Sequence, residues 1–510
     1  MNKSYKNLAK LCNYFLVSLS IVFFLYYFLN NLRNNMYEVL FIDERMLIDD
    51  IYNVWLLEDL YDRFSSISNA FIKNILIVFI EIAYGGDLRY GRLWSNIFIF
   101  FVGPFTLIND EIVILVSRLL NSLMFLLGAY LMSKNTEKKA FLGLGIFLIY
   151  SLPSVEYFHR IPKPDILVFI FIALGISFLI KKKYYLSIFF LGIASFIKIN
   201  AIVVFAILWI FIFQEFEEKK VKLFFRSIGI TLGSLVLVNP ILIVPPLTIG
   251  NIELPNFLKI YLNWLTTQSS NGDEIFFSLQ NVNLWFETFS DFYKIPNTLI
   301  FYICSVSLIL FIFRKIILSN DKLSKYLFFI FLIYLVFYFG FIERQYTHYL
   351  HLPIAILIIG YLRVLKPNEK NILPIIIILT LGIIGNLSNF SKFTSDIRFN
   401  ANDRYGYESI EDPSDAKNLV DKVIQSIERI YESNENLNRN LVYWHPDLFV
   451  PRNDVTYNSK FYVREYWGDK TYVDNAINEA DIYVTYTDYE ISNKINKIKI
   501  ENIYIYFYKN

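Results

Sequence analysis

Cysteine is scarce in this chain: Cys12 and Cys304 are the only two among 510 residues, far apart and each inside an apolar run. That rules out a disulfide framework or a cysteine metal site, and it implies two buried structural thiols. An excess of one charge sign is also missing. The 48 basic and 46 acidic residues leave a net charge of +2, so no global field points to nucleic acid. There is no GxGxxG or P-loop pattern, no Ser/His/Asp order and no CxxC pair. The usual local signatures of phosphate-cradling loops, triad nucleophiles and thiol redox pairs are therefore absent. Solenoid repeats and low-complexity segments are absent too.

Apolar residues dominate instead. The chain is 55% hydrophobic and 18% aromatic, with a mean hydropathy of +0.41, more than one water-soluble core can hide. A multi-pass membrane protein follows. Apolar runs lie near 11–30, 93–108, 112–133, 140–152, 165–180, 184–197, 200–213, 227–246, 298–318, 325–342, 352–364 and 372–389. Several fall short of the roughly 20 residues that a span requires. The run at 11–30 follows Lys3, Lys6 and Lys10 but is long for a signal segment and lacks a small-residue cleavage site, so it is expected to be a retained first helix.

Basic connections at 1–10, 181–183, 214–226, 314–325 and 363–370 are expected on the cytoplasmic side. The opposite side then receives 31–92, 153–164, 247–297, 343–351 and everything after about 390. The alternation has a defect, because the first four runs would leave loop 153–164 on the wrong side. Either 69–84 crosses despite Lys73 and Glu81, or a short run such as 140–152 enters and leaves on one face.

The expected architecture is mainly α: a polytopic bundle of about 11–13 membrane helices over 1–389, then a small outer α/β domain over 390–510. In that domain a helix opening near Asp412 to Asp415 aligns Leu419, Val420, Val423 and Ile427. NLVYWHPDLFV, ADIYVTYTDYE and NIYIYFYKN have the β-branched and aromatic character of strands.

Charges near a bilayer snorkel, pair or mark a site. The first cluster is FIDERMLIDDIYNVW, with Asp43, Glu44, Arg45, Asp49 and Asp50. Asp43 can cap an amphipathic surface helix with Leu47, Ile51, Val54 and Trp55 on one stripe, Asp49 and Asp50 keeping its outer side wet. Alternatively, a carboxylate there can serve as general base toward a lipid-linked substrate at headgroup level. The second cluster, SVEYFHRIPKPDILVFIF, holds Glu156, His159, Arg160, Lys163 and Asp165. Pro162 and Pro164 delay the next helix until Asp165, which either caps it or joins Arg160 and Lys163 around a phosphate. The third, IERQYTHYLHLP, sets Arg344, His348 and His351 at i, i+4 and i+7. A phosphate contact, a zinc pair and a plain snorkelling belt all remain open there. Lys198, at the end of LGIASFIK, either snorkels or reaches the same outer cavity. Loop 247–297, with Trp264, Trp285, Asp273, Glu274 and Glu287, is expected to form a headgroup-level amphipathic helix.

Together these landmarks resemble the GT-C superfamily of integral-membrane glycosyltransferases, especially the protein O-mannosyltransferase and aminoarabinose transferase branch. The acidic element of the first outer loop is matched by Asp43 and Glu44 in IDER. YGRLWSNIFIF, with Tyr90 and Gly91, and VSRLLNSLMFLLGAYL, with Arg118, are similar to the next two elements. KPDILVFIF, LGIASFIK and ERQYTHYLHLP resemble the later ones. The usual Lys-Pro-Pro second landmark is replaced by Tyr-Gly-Arg, so donor and acceptor identity do not carry over.

The resemblance implies inverting transfer of a sugar from a polyprenyl-phosphate donor to a glycan, lipid or protein acceptor outside the cytoplasm, in a plasma or inner membrane. Asp43 would be the base and Glu44 its orienting partner. Asp165, Lys163, Arg160, Tyr90, Lys198, Arg344, His348 and His351 would bind substrate and phosphate. No cofactor is expected; a divalent metal is optional and disfavoured. Membrane lipids are partners and nucleic acid is not.

A transporter or lipid flippase is the rival, although no repeated halves or mid-membrane broken helices are evident. An outer-face polysaccharide polymerase or ligase is another, although loop 247–297 has no His or Arg.

Overall fold

The structure, a computed structural model, describes residues 3–35, 47–48, 50–51, 54–55, 75, 91–108, 110–153, 155–160, 162–216, 220–240, 247–249, 252–254, 279–293, 295, 297–341, 347–365, 379–388, 413–434, 437, 439–444, 461–465, 473–485, 488–489, 491, 493–501 and 503–508. It divides into two compact units. The first comprises Met1–Asn31, Asp49–Leu107 and Val116–Ser391; the second comprises Leu32–Ile48, Ile108–Leu115 and Lys392–Asn510.

The first unit is a helical bundle, and its helices follow the apolar runs closely. They are α1 (Lys3–Asn35), α2 (Arg92–Val102), α3 (Asp110–Lys134), α4 (Leu142–Tyr150), α5 (Val155–Arg160), α6 (Asp165–Ile180) and α7 (Tyr184–Ile197). Then come α8 (Ile202–Glu215), α9 (Lys220–Val238), α10 (Leu279–Phe292), α11 (Thr298–Ile317), α12 (Lys322–Phe341), α13 (His351–Val364) and α14 (Leu379–Ser388). A short antiparallel hairpin pairs β1 (Leu247–Ile249) with β2 (Ile252–Leu254). Among the described residues five helices, within α1, α3, α9, α11 and α12, are long and apolar enough to cross a membrane. That is fewer than the 11–13 expected, because the other apolar helices have only 10–17 residues. Large apolar side chains lie exposed along the long helices, such as Phe15, Val22, Phe225, Leu232, Ile303 and Leu310. Surface of this kind suits lipid, in keeping with an integral membrane protein.

The same solvent explains one correction. Cys12 and Cys304 are exposed, not buried, since an apolar run in a membrane helix has faces that meet lipid as well as protein. A second concerns α9, expected at 227–246. It starts at Lys220 and stops at Val238, because Pro240 lacks an N–H and disfavours helical backbone at Asn239.

Polar contacts gather at two opposite ends of the bundle. At one, Lys138 Nζ donates to the carbonyls of Leu362 (3.5 Å), Leu365 (2.5 Å) and Arg363. There Arg363 also binds Asp321 (2.9 Å) and the Asn135 carbonyl (2.8 Å), and Lys322 pairs with Glu215 at 2.7 Å. The bonds from Lys138 and Arg363 to backbone oxygens satisfy carbonyls that a helix C-terminus leaves open. This basic end holds the end of α3, the end of α8, the start of α12 and the end of α13.

The second unit contains a five-stranded sheet, from β3 (Leu441–Trp444), β4 (Tyr462–Glu465), β5 (Ile482–Thr485), β6 (Ile495–Ile500) and β7 (Ile503–Tyr508). Its order is β4-β3-β5-β7-β6. The first three neighbours are parallel, and β7 and β6 are antiparallel additions. Strand periodicity sorts its side chains by face. Val442, Trp444, Ile482, Val484, Ile505 and Phe507 meet Leu419, Val423 and Ile427 of α15 (Pro413–Ser433). Tyr483, Tyr504 and Tyr506 meet Val473, Ala476 and Ile477 of α16 (Val473–Glu479) on the other face.

Candidate functional site

Asp165 opens α6 directly after Pro164, as the two prolines require. Lys198 Nζ donates to both oxygens of the Asp165 carboxylate at 2.8 Å. Lys198 is placed by a break in the chain: α7 ends at Ile197, Lys198 is extended, and a 3₁₀ turn over Ile199–Ala201 leads into α8. The two side chains are 17% and 13% exposed, so the pair is partly screened from solvent and neutral as a unit.

Asp165 faces a recess of about 330 Å³, open solvent included. Asn200, Tyr334, Tyr338, Tyr349 and His351 line it with Phe158, Phe169 and Pro353. Its centre has room for roughly one water molecule, so a larger ligand requires lining side chains such as Tyr349 to move. Three tyrosine rings form a ladder: Tyr334 and Tyr338 are 5.6 Å apart at 6°, and Tyr338 and Tyr349 are 5.6 Å apart at 11°. Lys198 Nζ sits 5.3 Å from the Tyr349 ring centre, a cation–π contact that pins both groups. Asn200 donates to the Tyr338 hydroxyl at 2.9 Å, and the Tyr334 hydroxyl donates to the Asn200 carbonyl at 2.7 Å. The wall thus offers a carboxylate held by the Lys198 ammonium, phenol hydroxyls and an amide beside flat aromatic faces.

A buried aromatic cage backs this wall. His351 contacts the rings of Phe125, Phe158 and Phe169 at centroid distances of 5.2, 4.9 and 5.1 Å. His159 lies among Phe24, Tyr27, Phe125 and Tyr150. Burial pushes the His159 pKa down to about 3, so the imidazole is neutral. Asn121 of α3 secures the loop in front, donating to the Phe158 carbonyl at 2.8 Å and accepting from Lys163 N at 3.3 Å.

Of the expected site residues, Asp165, Lys198 and His351 come together at this recess. Lys163 is near it in sequence and buried. Arg160 ends α5 and His348 lies in a 3₁₀ turn, Thr347–Leu350, but their side chains are outside the described set. Asp43, Glu44, Tyr90 and Arg344 are outside the described residues altogether. The helix through the third cluster begins at His351 and His348 lies in the 3₁₀ turn before it, so the two do not share one α-helical segment. No group of three or more His, Cys, Asp or Glu suited to a metal ion occurs among the described residues.

Asp50, expected on the wet outer side of its helix, is instead buried, and Arg92 Nη1 reaches its carboxylate at 2.6 Å. Arg92 also donates to Ser95 Oγ at 3.0 Å, and its backbone N–H reaches Asn239 Oδ1 at 2.9 Å. The stripe of Leu47, Ile51 and Val54 is helical and buried as expected, while Trp55 is 38% exposed and donates to the Ile99 carbonyl at 2.9 Å. Just before Arg92, Gly91 takes φ +67° and packs against Val238, the Phe196 carbonyl and Ile197. A side chain there would strike Val238 and crowd the Phe196 carbonyl. Sequence reasoning missed the roles of Arg92, Asn200, Tyr334 and Tyr338; Arg92 and Asn200 border apolar runs, while the two tyrosines carry no local signal within theirs.

No family model and no curated protein matches the chain.

Proposed function

We propose that the protein is a membrane glycosyltransferase that moves a sugar, with inversion, from a polyprenyl-phosphate donor to a glycan, lipid or protein acceptor. One observation carries the reading. Three segments far apart in sequence, KPD at Asp165, FIK at Lys198 and the turn leading to His351, converge on one recess lined by polar groups and tyrosines. Tyrosine faces suit sugar C–H groups, and the Asp165–Lys198 pair suits hydroxyl and phosphate oxygens. In this reading the basic end of the bundle is cytoplasmic, which puts the recess on the opposite side.

In the proposed reaction the acceptor hydroxyl oxygen bonds to the anomeric carbon as the bond to the phosphate oxygen breaks. Asp43 takes the hydroxyl proton, with Glu44 orienting it. Polyprenyl phosphate leaves, its charge held by Lys198, Lys163, Arg344 and His348. Arg160, Tyr90 and His351 complete the binding wall.

The test is transfer of labelled sugar from a panel of polyprenyl-phosphate donors in reconstituted vesicles. Asp43→Asn is expected to abolish transfer; equal activity removes Asp43 as base. Absence of transfer across the panel, with substrate flux across the same vesicles, would establish a transporter instead.

A further inference from the structure

We infer that α9 carries a site for one anionic phospholipid of the leaflet at the basic end: Lys222 and Arg226 hold its headgroup phosphate, and one acyl chain lies in the furrow that Gly229 and Gly233 leave beyond them. The site is independent of the proposed reaction and holds for any activity of the bundle.

The pattern begins in the sequence. KVKLFFRSIGITLGSLVLV places Lys222, Arg226, Gly229 and Gly233 at i, i+4, i+7 and i+11, which is one stripe of an α-helix. The whole segment is helical as α9, and all four residues are exposed. Leu223, Ser227, Ser234 and Val238 form its buried side. Helix α7 covers part of that side, where Ser234 Oγ donates to the Phe189 carbonyl at 3.1 Å.

Glycines in membrane helices usually let a neighbouring helix approach. Gly128, Gly175 and Gly192 do so here, since a Cβ on any of them would strike a side chain of another helix. A Cβ on Gly229 or Gly233 would meet nothing within 4 Å. Packing inside this chain therefore gives these two no role. Phe225, Leu232 and Val236 stand exposed beside them and make a ridge along the open furrow. On a helix long and apolar enough to span the membrane, a furrow with such a wall suits a hydrocarbon chain.

Charge defines the other end of the site. Helix α9 starts soon after Glu215, which Lys322 engages at the basic end at 2.7 Å. Its first turn has no acidic residue. Arg226 lies over the Tyr185 ring at 5.6 Å and donates to the Tyr185 hydroxyl at 3.4 Å. These neutral partners steady the guanidinium at the head of the furrow and leave its charge in place. They also hold the start of α7 beside the start of α9, and the exposed Lys181, Lys182 and Lys183 come just before α7. Over 181–183 and 214–226 seven basic residues stand against three acidic ones, of which Glu217 and Glu218 lie outside the described residues. The surplus attracts an anionic headgroup. A second copy of the chain suits the stripe less well. In a two-fold pair through α9, Lys222 and Arg226 would meet their own counterparts, and like charges repel.

The experiment counts the lipids retained on the full-length protein by native mass spectrometry, after reconstitution into vesicles of equal parts dioleoylphosphatidylglycerol and dioleoylphosphatidylcholine. One phosphatidylglycerol should be retained in about tenfold preference over phosphatidylcholine. Lys222→Gln/Arg226→Gln should abolish the preference. Gly229→Leu/Gly233→Leu, whose new side chains enter open space, should keep the parent's unfolding temperature and lose the retained lipid with every charge intact. Arg314→Gln/Lys315→Gln, at the basic end of another span, should change nothing. Equal loss in that last variant would mean a diffuse belt of charge and overturn the site. Undiminished retention in the glycine variant would remove the furrow. A parent dimer that the glycine variant converts to monomer would establish a second copy as the occupant instead.

Discussion

The buried Asp50–Arg92 pair supports a quantitative prediction. Its side chains are 11% and 4% exposed and meet at 2.6 Å, so solvent screens them little. Removing one partner of a buried pair strands the other's charge and costs about 3–5 kcal/mol, whereas replacing both with apolar residues is often close to neutral. Asp50→Leu and Arg92→Met should each be severely destabilised, and the double variant should recover most of the loss. Large membrane proteins unfold irreversibly, so the observable is an unfolding half-time at fixed temperature in detergent. If the pair breaks before the unfolding barrier, 3 kcal/mol shortens that half-time about a hundredfold. Single variants within twofold of the parent, or a double variant as unstable as the two losses combined, would refute a buried, coupled pair.

Gly91→Ala should lose about 1–3 kcal/mol from backbone strain at φ +67°, ψ +134° alone, with more from contact with Val238 and the Phe196 carbonyl, read as a lower unfolding temperature. His159, pKa about 3 against about 6.5 unfolded, gives stability that is complete above pH 6.5. That stability should fall steadily as pH drops from 6.5 toward 3, by up to about 1.4 kcal/mol per unit, and His159→Phe should flatten this acid limb in thermal scans. Lys198→Gln, which leaves Asp165 without its cation, should lower sugar transfer about a hundredfold at saturating donor; unchanged transfer would exclude Lys198 from the site. Trp444→Ala, at a fully buried position in the sheet core, should cost about 3–5 kcal/mol and expose the region after 413 to limited proteolysis.

Much of the bundle is legible residue by residue. The spacing of Pro162 and Pro164 places the start of α6 at Asp165, and runs 184–197 and 298–318 become α7 and α11 almost unchanged. In the C-terminal region the i, i+4, i+8 series Leu419, Val423 and Ile427 reappears as the buried face of α15. Strands β4 and β6 escaped notice, since YVRE is short and INKIKI alternates lysines with apolar residues on an edge strand. Asp50 was misjudged because helical periodicity reports the side a residue takes on its own helix. It carries no information on whether Arg92, 42 positions away, will cover that side.

The sequence by itself determined that the chain is largely helical and apolar, where most helices start and stop, and that a smaller α/β unit follows. Those properties are local: they depend on hydropathy over a helix length and on prolines that interrupt it. Only the tertiary structure decided which charges meet. It joined Asp165 to Lys198, set His351 and the tyrosine ladder around them, and turned Asp50 inward to Arg92. Pairing between distant segments follows from how helix ends converge, and desolvation at those ends leaves a charge stable only when an opposite charge or a polar partner arrives with it.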